Sequence, residues 1–191
     1  SRASDLIVIA PASANFIAKV SQGIADDLLT NICLARNCPL LIAPSMNREM
    51  WGNPATKRNV SLITKDGIVI SGPDNGEQAC GEEGMGRLVN EKVLLLDIKK
   101  SLSAQLFKNK NILISCGGTV ENIDDARAIT NLSSGKMGFS IAESAYAYGA
   151  NVTLVCGRTD EKPPLGIKSF YASNHKTMKQ VILEKVKNND I

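Results

Sequence analysis

Two stretches of the chain hold side chains suited to chemistry more than to packing. They are Ala43-Pro44-Ser45-Met46-Asn47-Arg48-Glu49-Met50-Trp51 and Gly76-Glu77-Gln78-Ala79-Cys80-Gly81-Glu82-Glu83-Gly84-Met85-Gly86-Arg87. The first follows the apolar run Leu40 to Ala43, which reads as a buried strand. Asn47 therefore stands just past a strand's carboxyl end, where open α/β sheets place ligands. An amide there can face a substrate; asparagine ahead of Arg48-Glu49-Met50 is also a helix start, and the two roles are compatible. The second stretch is too rich in glycine for a core element and carries one thiol, Cys80, among Glu77, Glu82 and Glu83. That is the make-up of a mobile flap bearing one reactive group. A lone cysteine is otherwise a small buried hydrophobe, but polar and flexible neighbours on both sides favour the reactive role. Trp51 and Met50 read equally well as packing.

Parallel strands must position such groups. Leu6-Ile7-Val8-Ile9-Ala10 is a continuous apolar run bounded by Asp5 and Pro11, as in a strand buried on both faces. Helices are predicted over Ala14 to Val20 and Ile24 to Ala35, with start signals at Ser13 and at Ala25-Asp26-Asp27. Further strands are predicted at Leu40 to Ala43 and at Ile68 to Ile70, the latter entered from the Asp66-Gly67 turn and left through the glycine-rich flap. Asn90 to Leu102 reads as an amphipathic helix and Ser103 to Asn111 as a linker. The pattern then restarts with a strand at Ile112 to Cys116, a long loop, a helix from Met137 to Tyr148, strands at Val152 to Val155 and Ile167 to Tyr171, and a helix over Thr177 to Val186. The expected fold class is α/β, two Rossmann-like parallel-sheet units divided as residues 1–105 and 106–191. Three strands per unit, apolar on both faces, leave edges and surface uncovered. Asp190-Ile191 also resembles the strand entry at Asp5-Leu6, so both units are expected to be truncated and the chain to be an internal fragment.

In the second unit Asn131-Leu132-Ser133-Ser134-Gly135-Lys136-Met137-Gly138 sets hydroxyls, glycine and a lysine before an apolar helix. Free backbone N–H groups and a positive dipole end then face an anion such as phosphate. Gly117-Gly118-Thr119 leaves the preceding strand and can approach the same guest closely. An N-cap followed by a tight turn is the equal alternative. Ser134-Gly135-Lys136 is not a P-loop, because Thr130 stands where the first glycine belongs and Met137 where Ser or Thr does. No G-x-G-x-x-G follows a strand and no G-x-S-x-G occurs, which disfavours classical dinucleotide binding and serine hydrolase chemistry. His175, the only histidine, reads as a surface or capping residue.

Composition narrows the remaining classes. At 43% hydrophobic and 21% charged residues, the chain is an ordinary globular one with a core to bury. A dispersed net charge of +3 and 4% aromatic residues argue against a nucleic-acid partner. The 5 cysteines, Cys33, Cys38, Cys80, Cys116 and Cys156, form no CxxC pair, which disfavours a disulfide framework or a structural zinc and points to a reducing compartment. No apolar run approaches the ~20 residues of a membrane span, and Ser1-Arg2-Ala3-Ser4-Asp5 lacks a signal peptide's apolar core. A cytoplasmic location is expected, with the N-x-[ST] matches at Asn59, Asn131 and Asn151 accidental.

These motifs together resemble the bifunctional phosphopantothenoylcysteine decarboxylase and phosphopantothenate-cysteine ligase family of bacterial coenzyme A biosynthesis. Pro11-Ala12-Ser13-Ala14-Asn15 looks like the flavin-contacting PASANT motif, and Pro44 to Trp51 is a complete PxMNxxMW. Gln78-Ala79-Cys80-Gly81 lies in the family's cysteine flap, while Ile123-Asp124 through Arg127 and Ile129-Thr130-Asn131 to Gly138 resemble the ligase signature. The resemblance implies FMN bound through Ser13, Ala14, Asn15, Phe16 and Ser45 at a subunit interface, Phe16 standing where threonine is usual. It implies that oxidation of the substrate thiol gives a thioaldehyde, the electron sink that a simple carboxylate lacks. Asn47 then holds the departing carboxylate, and Cys80 donates the proton needed by the resulting enethiol in a redox-neutral cycle. For the second unit it implies CTP, with Mg²⁺, activating the carboxylate of 4'-phosphopantothenate to an acyl-cytidylate that the amine of cysteine attacks. Asn131 matches the residue that handles this intermediate and Arg127 the motif's arginine; Gly117, Gly118, Thr119, Ser133, Ser134, Gly135 and Lys136 are the candidate nucleotide cradle. Homo-oligomers are implied, trimers of the flavin unit and dimers of the ligase unit. The family's histidine and its lysine-rich loop are expected outside residues 1–191, so the isolated chain is expected to catalyse neither step. Two other readings share parts of the pattern: a peptidyl-cysteine decarboxylase flavoprotein, to which the second unit is foreign, and a noncatalytic flavin- or nucleotide-binding regulatory module.

Overall fold

The apolar runs become parallel strands in both halves of the chain. The computed structural model describes residues 3–77 and 81–191, and the chain divides into units Ser1–Leu102 and Ser103–Ile191. The first unit runs β1 (Ile7–Ala12), α1 (Ala14–Gln22), α2 (Leu28–Leu34), β2 (Leu40–Pro44), α3 (Arg48–Gly52), α4 (Pro54–Lys65), β3 (Val69–Ile70), β4 (Asp74–Glu77), β5 (Glu83–Arg87) and α5 (Glu91–Leu102). Its sheet has the order β1-β2-β3, all parallel. The second unit runs β6 (Asn111–Cys116), β7 (Val120–Asn122), β8 (Ala128–Thr130), α6 (Lys136–Ala147), β9 (Asn151–Cys156), β10 (Lys168–Tyr171) and α7 (His175–Lys185), with a 3-10 turn at Val186–Asn188. Its parallel sheet has the order β6-β9-β10, and Asp190 and Ile191 run beside β6, where Ile191 O accepts from Leu113 N at 2.8 Å.

β2 lies between two parallel neighbours, and every residue from Leu40 to Pro44 is buried. Such a strand has no solvent face, which is why it reads as an unbroken apolar run. Ile42→Ala removes side-chain volume where the sheet cannot collapse and is expected to cost about 2–5 kcal/mol, measurable by denaturant unfolding.

Helix starts follow local capping. Ser13 Oγ accepts from Phe16 N at 3.2 Å at the start of α1. The helix expected from Ile24 begins only at Leu28, because Asp27 and Thr30 form a reciprocal capping box there: Thr30 N donates to Asp27 Oδ1 at 2.8 Å and Asp27 N to Thr30 Oγ1 at 3.2 Å. Lys19 Nζ holds the preceding turn through Asp26 at 2.7 Å and Asp27 at 3.2 Å. The Thr30 backbone bond, then its side chain and Lys19, hold the Asp27 carboxyl down to about 2. A carboxyl lowered in the folded state stabilises it above the unfolded value, and that contribution fades as pH falls through the ordinary range near 4 towards 2. Asp27→Asn is therefore expected to lower Tm modestly at neutral pH, where the charged carboxyl contributes, and to converge with wild type as pH falls towards 2, which flattens part of the acid limb of a Tm-against-pH curve.

One helix was not foreseen, and three expectations need correction. The stretch between Trp51 and Asp66, for which the sequence alone sets no expectation, contains α4, capped by Asn53 Oδ1 on Ala55 N at 2.9 Å and opened by Pro54. Lys57, Arg58 and Asn59 mask its single buried stripe of Thr56 and Ile63. The glycine-rich segment is not a free flap but the antiparallel hairpin β4-β5, with Gly76 opposite Gly84 and Glu77 opposite Glu83. The long loop after β6 holds a second hairpin, β7-β8, registered Val120 to Thr130. Finally, Ser103 to Asn111, although mostly exposed, is not a free linker but part of the second unit. Phe107 N donates to Tyr148 O at 2.9 Å, and the two rings meet edge to face at 6.2 Å, which ties this turn into the second unit's core.

Candidate functional site

In the first unit the sheet brings two loops together. Ala12 pairs with Pro44, so residues 13–15 and 45–47 leave the carboxyl edge side by side, and Ser45 N donates to Ala12 O at 2.9 Å. Ser13 and Asn15 are exposed at the start of α1, Ala14 and Ser45 half-buried. Phe16 packs its ring against the core, and its N–H is the one capped by Ser13.

Asn47 is held at both ends of its amide. It is the N-cap of α3, its Oδ1 accepting from Glu49 N at 2.8 Å, and its Nδ2 donates to Glu82 Oε2 at 2.9 Å. The bond to the helix start fixes which end is oxygen, so the NH₂ end points towards the hairpin. The hairpin docks there through Met46 N on Gly86 O at 2.9 Å and Arg48 Nη1 on Glu83 O at 3.4 Å. A Cβ at Gly84 would come within 3.0 Å of Arg48 Cδ, so glycine here serves close approach. Arg48 Nε also lies 3.1 Å from Glu49 and 3.8 Å from Glu82. Sequence reasoning missed Glu82 as the partner of Asn47 and of Arg48; no local signal links Asn47 to a position 35 residues away. Cys80 lies outside the described residues.

In the second unit Gly117, with φ +82°, and Gly118 sit where side chains cannot: added Cβ atoms would lie 2.7 Å from Arg158 O and 2.7 Å from Asn131 O. Thr130 Oγ1 donates to Thr119 O at 2.8 Å, which brings Thr119 and the exposed Asn131 to the same place. Gly135, with φ +81°, is the N-cap of α6 and provides no side-chain cap, while Ser133 and Ser134 lie half-buried before it. The methyl of Thr159 lies against both Gly117 and Gly135, joining the two loops. Thr159 and Arg158 were not foreseen, although they follow β9 as Ser45 follows β2 and the rule of strand carboxyl ends points to them. Arg127 is not brought to these glycines by any described bond: its Nε donates to Asp124 Oδ2 at 2.7 Å inside its own hairpin. Lys136 Nζ stands 3.4 Å from Glu161. His175 is exposed at the start of α7, its N and Nδ1 on Glu121 at 2.8 and 2.7 Å, and these bonds hold the Glu121 carboxyl below its usual range. Cys116 and Cys156 are a registered pair with sulfurs 3.5 Å apart; burial pushes both thiols up, Cys156 to about 12, so neither is an activated nucleophile.

Residues 1–103 match the family model described as Flavoprotein. The chain belongs to the flavoprotein family. Residues 107–191 of this flavoprotein match a second model, the DNA/pantothenate metabolism flavoprotein C-terminal domain. A relative from Vibrio parahaemolyticus, the coenzyme A biosynthesis bifunctional protein CoaBC, is 39% identical over 187 residues, covering 98% of this chain and 47% of the relative. The protein of the same name from Escherichia coli is 42% identical over 166 residues, covering 86% of this chain and 41% of that protein. The flavoprotein thus spans less than half the length of these relatives. A solved PPC decarboxylase mutant, in complex with pantothenoylaminoethenethiol, matches at 36% identity and a TM-score of 0.50, covering 51% of this chain and 55% of that one. The mixed α/β architecture with parallel sheets is flavodoxin-like, as in that decarboxylase. Among the described residues no helix is long and apolar enough to cross a membrane, and no group of His, Cys, Asp and Glu could hold a metal ion.

Proposed function

We propose that the first unit carries an FMN-dependent decarboxylase that converts phosphopantothenoylcysteine to 4'-phosphopantetheine in coenzyme A biosynthesis. The observation that carries this reading is the Asn47 amide, fixed at the carboxyl edge of β2 with its NH₂ end already on a carboxylate. The residues present fit a flavin: the exposed edge formed by Ser13, Asn15 and Ser45 offers neutral hydroxyl and amide groups, with helix N–H groups beside them, suited to the alternating donors and acceptors of an isoalloxazine ring. When bound, FMN supplies reversible oxidation of the substrate thiol and so the electron sink for loss of carbon dioxide. Asn47 holds the substrate carboxylate by charge-assisted hydrogen bonding, and Cys80, which lies between β4 and β5 in the sequence, is the proposed proton donor.

We propose further that the second unit serves CTP-dependent, Mg²⁺-assisted ligation of 4'-phosphopantothenate with cysteine. Support comes from the glycine turn closed against Asn131 and from the α6 start without a side-chain cap, a favourable seat for phosphate. Leu28 and Leu34 in the first unit, and Ile129, Leu132 and Met137 in the second, leave large apolar side chains in solvent, which supports homo-oligomers. A cytoplasmic site of action is part of the same proposal.

The test of the decarboxylase reading is product formation. A protein containing residues 1–191, expressed from its complete reading frame and loaded with FMN, is expected to convert phosphopantothenoylcysteine to phosphopantetheine without CTP, read by mass spectrometry. A flavin-loaded sample that returns the substrate intact contradicts it.

A further inference from the structure

The atoms around Glu82 form a carboxylate site that already holds a carboxylate. Oε2 of Glu82 accepts from Asn47 Nδ2 at 2.9 Å and lies 3.8 Å from Arg48 Nε. A neutral amide N–H and a guanidinium are the pair of donors a small carboxylate ligand requires. Met46 N on Gly86 O, Arg48 Nη1 on Glu83 O and the Arg48 stem against Gly84 also dock the hairpin, and none of these contacts uses the Asn47 amide. Glu82 thus stands where a substrate carboxylate on the same amide would have to bind. Two ionised carboxylates sharing one amide repel each other strongly at such a separation.

We propose that Glu82 is an intramolecular stand-in for the substrate's carboxylate, and that the substrate binds by displacing it from Asn47. This rests on the decarboxylase reading of the first unit. Glu82 sits at the edge of the hairpin, immediately before β5 and two residues after Cys80 in the sequence. Exchange of one carboxylate for the other thus couples recognition of the group that will leave to release of the hairpin's hold on Asn47. A ligand without that carboxylate leaves the Asn47–Glu82 bond in place. Glu82 is in this sense a specificity-determining residue: it sets a threshold that only a carboxylate-bearing ligand can overcome. It takes no part in bond making or breaking.

The test compares two unreactive ligands that differ only in the carboxylate: phosphopantothenoylserine, in which oxygen replaces the thiol sulfur, and phosphopantothenoylethanolamine. Binding to the flavin-loaded protein is read from perturbation of the flavin absorbance. Glu82→Gln is expected to tighten phosphopantothenoylserine about tenfold, because a neutral competitor is weaker, and to leave phosphopantothenoylethanolamine unchanged. Glu82→Ala is expected to shift the two ligands in the same selective way, and Glu82→Asp to remain near wild type. The serine ligand carries one more negative charge than the ethanolamine ligand, so Glu83→Gln, which removes the neighbouring charge without touching the Asn47–Glu82 bond, is the control for a general charge effect, and an equally selective shift there overturns the proposal. An equal shift, no shift, or weaker binding of the serine ligand in the Glu82→Gln and Glu82→Ala variants overturns the proposal. Failure of the decarboxylase reading is distinguishable, since wild-type protein then binds neither ligand near a flavin. If Glu82→Gln does not fold, the Glu82→Ala and Glu82→Asp pair decides alone.

Discussion

Replacing Asn47 with aspartate in the flavin-loaded protein is expected to lower kcat/KM for phosphopantothenoylcysteine by about 10²–10³-fold, the loss typical for one preorganised donor at a reacting carboxyl group. The change is nearly isosteric. The oxygen that caps α3 through Glu49 N at 2.8 Å is retained, since aspartate is as good an N-cap as asparagine. The NH₂ that donates to Glu82 at 2.9 Å becomes an oxygen, so a donor is lost and a like charge faces both Glu82 and the incoming carboxylate. Flavin content and Tm should stay close to wild type while turnover falls. Asn47→Ala, by contrast, removes the cap as well and should add about 1 kcal/mol of destabilisation. Steady-state kinetics with a melting curve separate the two effects. Activity within a fewfold of wild type in Asn47→Asp would remove Asn47 from the mechanism.

Gly138→Ala should be among the most damaging substitutions in the second unit, although alanine ordinarily favours a helix over glycine by about 0.5–1 kcal/mol. A Cβ at this position of α6 would lie 2.3 Å from Cys116 Cβ on β6, a contact that neither backbone can relieve without moving the helix off the sheet. The expected cost is about 1–3 kcal/mol, with loss of the unit's independent stability at the upper end. Cys116→Gly removes the opposing Cβ and should restore much of the loss, so the pair forms a double-mutant cycle with a large coupling. Gly52→Ala is the control, because nothing lies within 4 Å of a Cβ there. Trp51 lies in the first unit and its fluorescence is blind to this change; circular dichroism, or hydrogen exchange of β6 and α6, is the appropriate measurement.

The parts of the fold legible in the sequence are those where one physical demand dominates. β2 must be apolar on both faces, so Leu40 to Pro44 announces itself, and Ser13 marks the start of α1 because a hydroxyl is needed for the Phe16 N–H. The hairpin β4-β5 was hidden because its glycines suggest freedom, whereas Gly84 is there to admit the Arg48 side chain. α4 was hidden because its outer face is so polar that only Thr56 and Ile63 are buried.

The candidate site divides in the same way. Asn47 is a candidate because a strand's carboxyl end places its loop at the ligand edge, a rule that needs only the strand, whereas Ser13 and Asn15 are candidates through the resemblance of residues 11–15 to the PASANT motif. Glu82 and Arg48 on one side, and Thr159 between Gly117 and Gly135 on the other, arise from tertiary contacts between segments far apart in the chain. Local patterns carry no information on such pairs.

The most direct test of the account is the visible absorbance spectrum of the purified protein before and after gel filtration with added FMN. The account predicts a bound yellow flavin with a perturbed spectrum in both wild type and Asn47→Asp, and a further spectral change on adding phosphopantothenoylserine to wild type alone. A colourless protein that releases all added FMN, or a bound flavin whose spectrum responds equally to the ligand in both proteins, would contradict it.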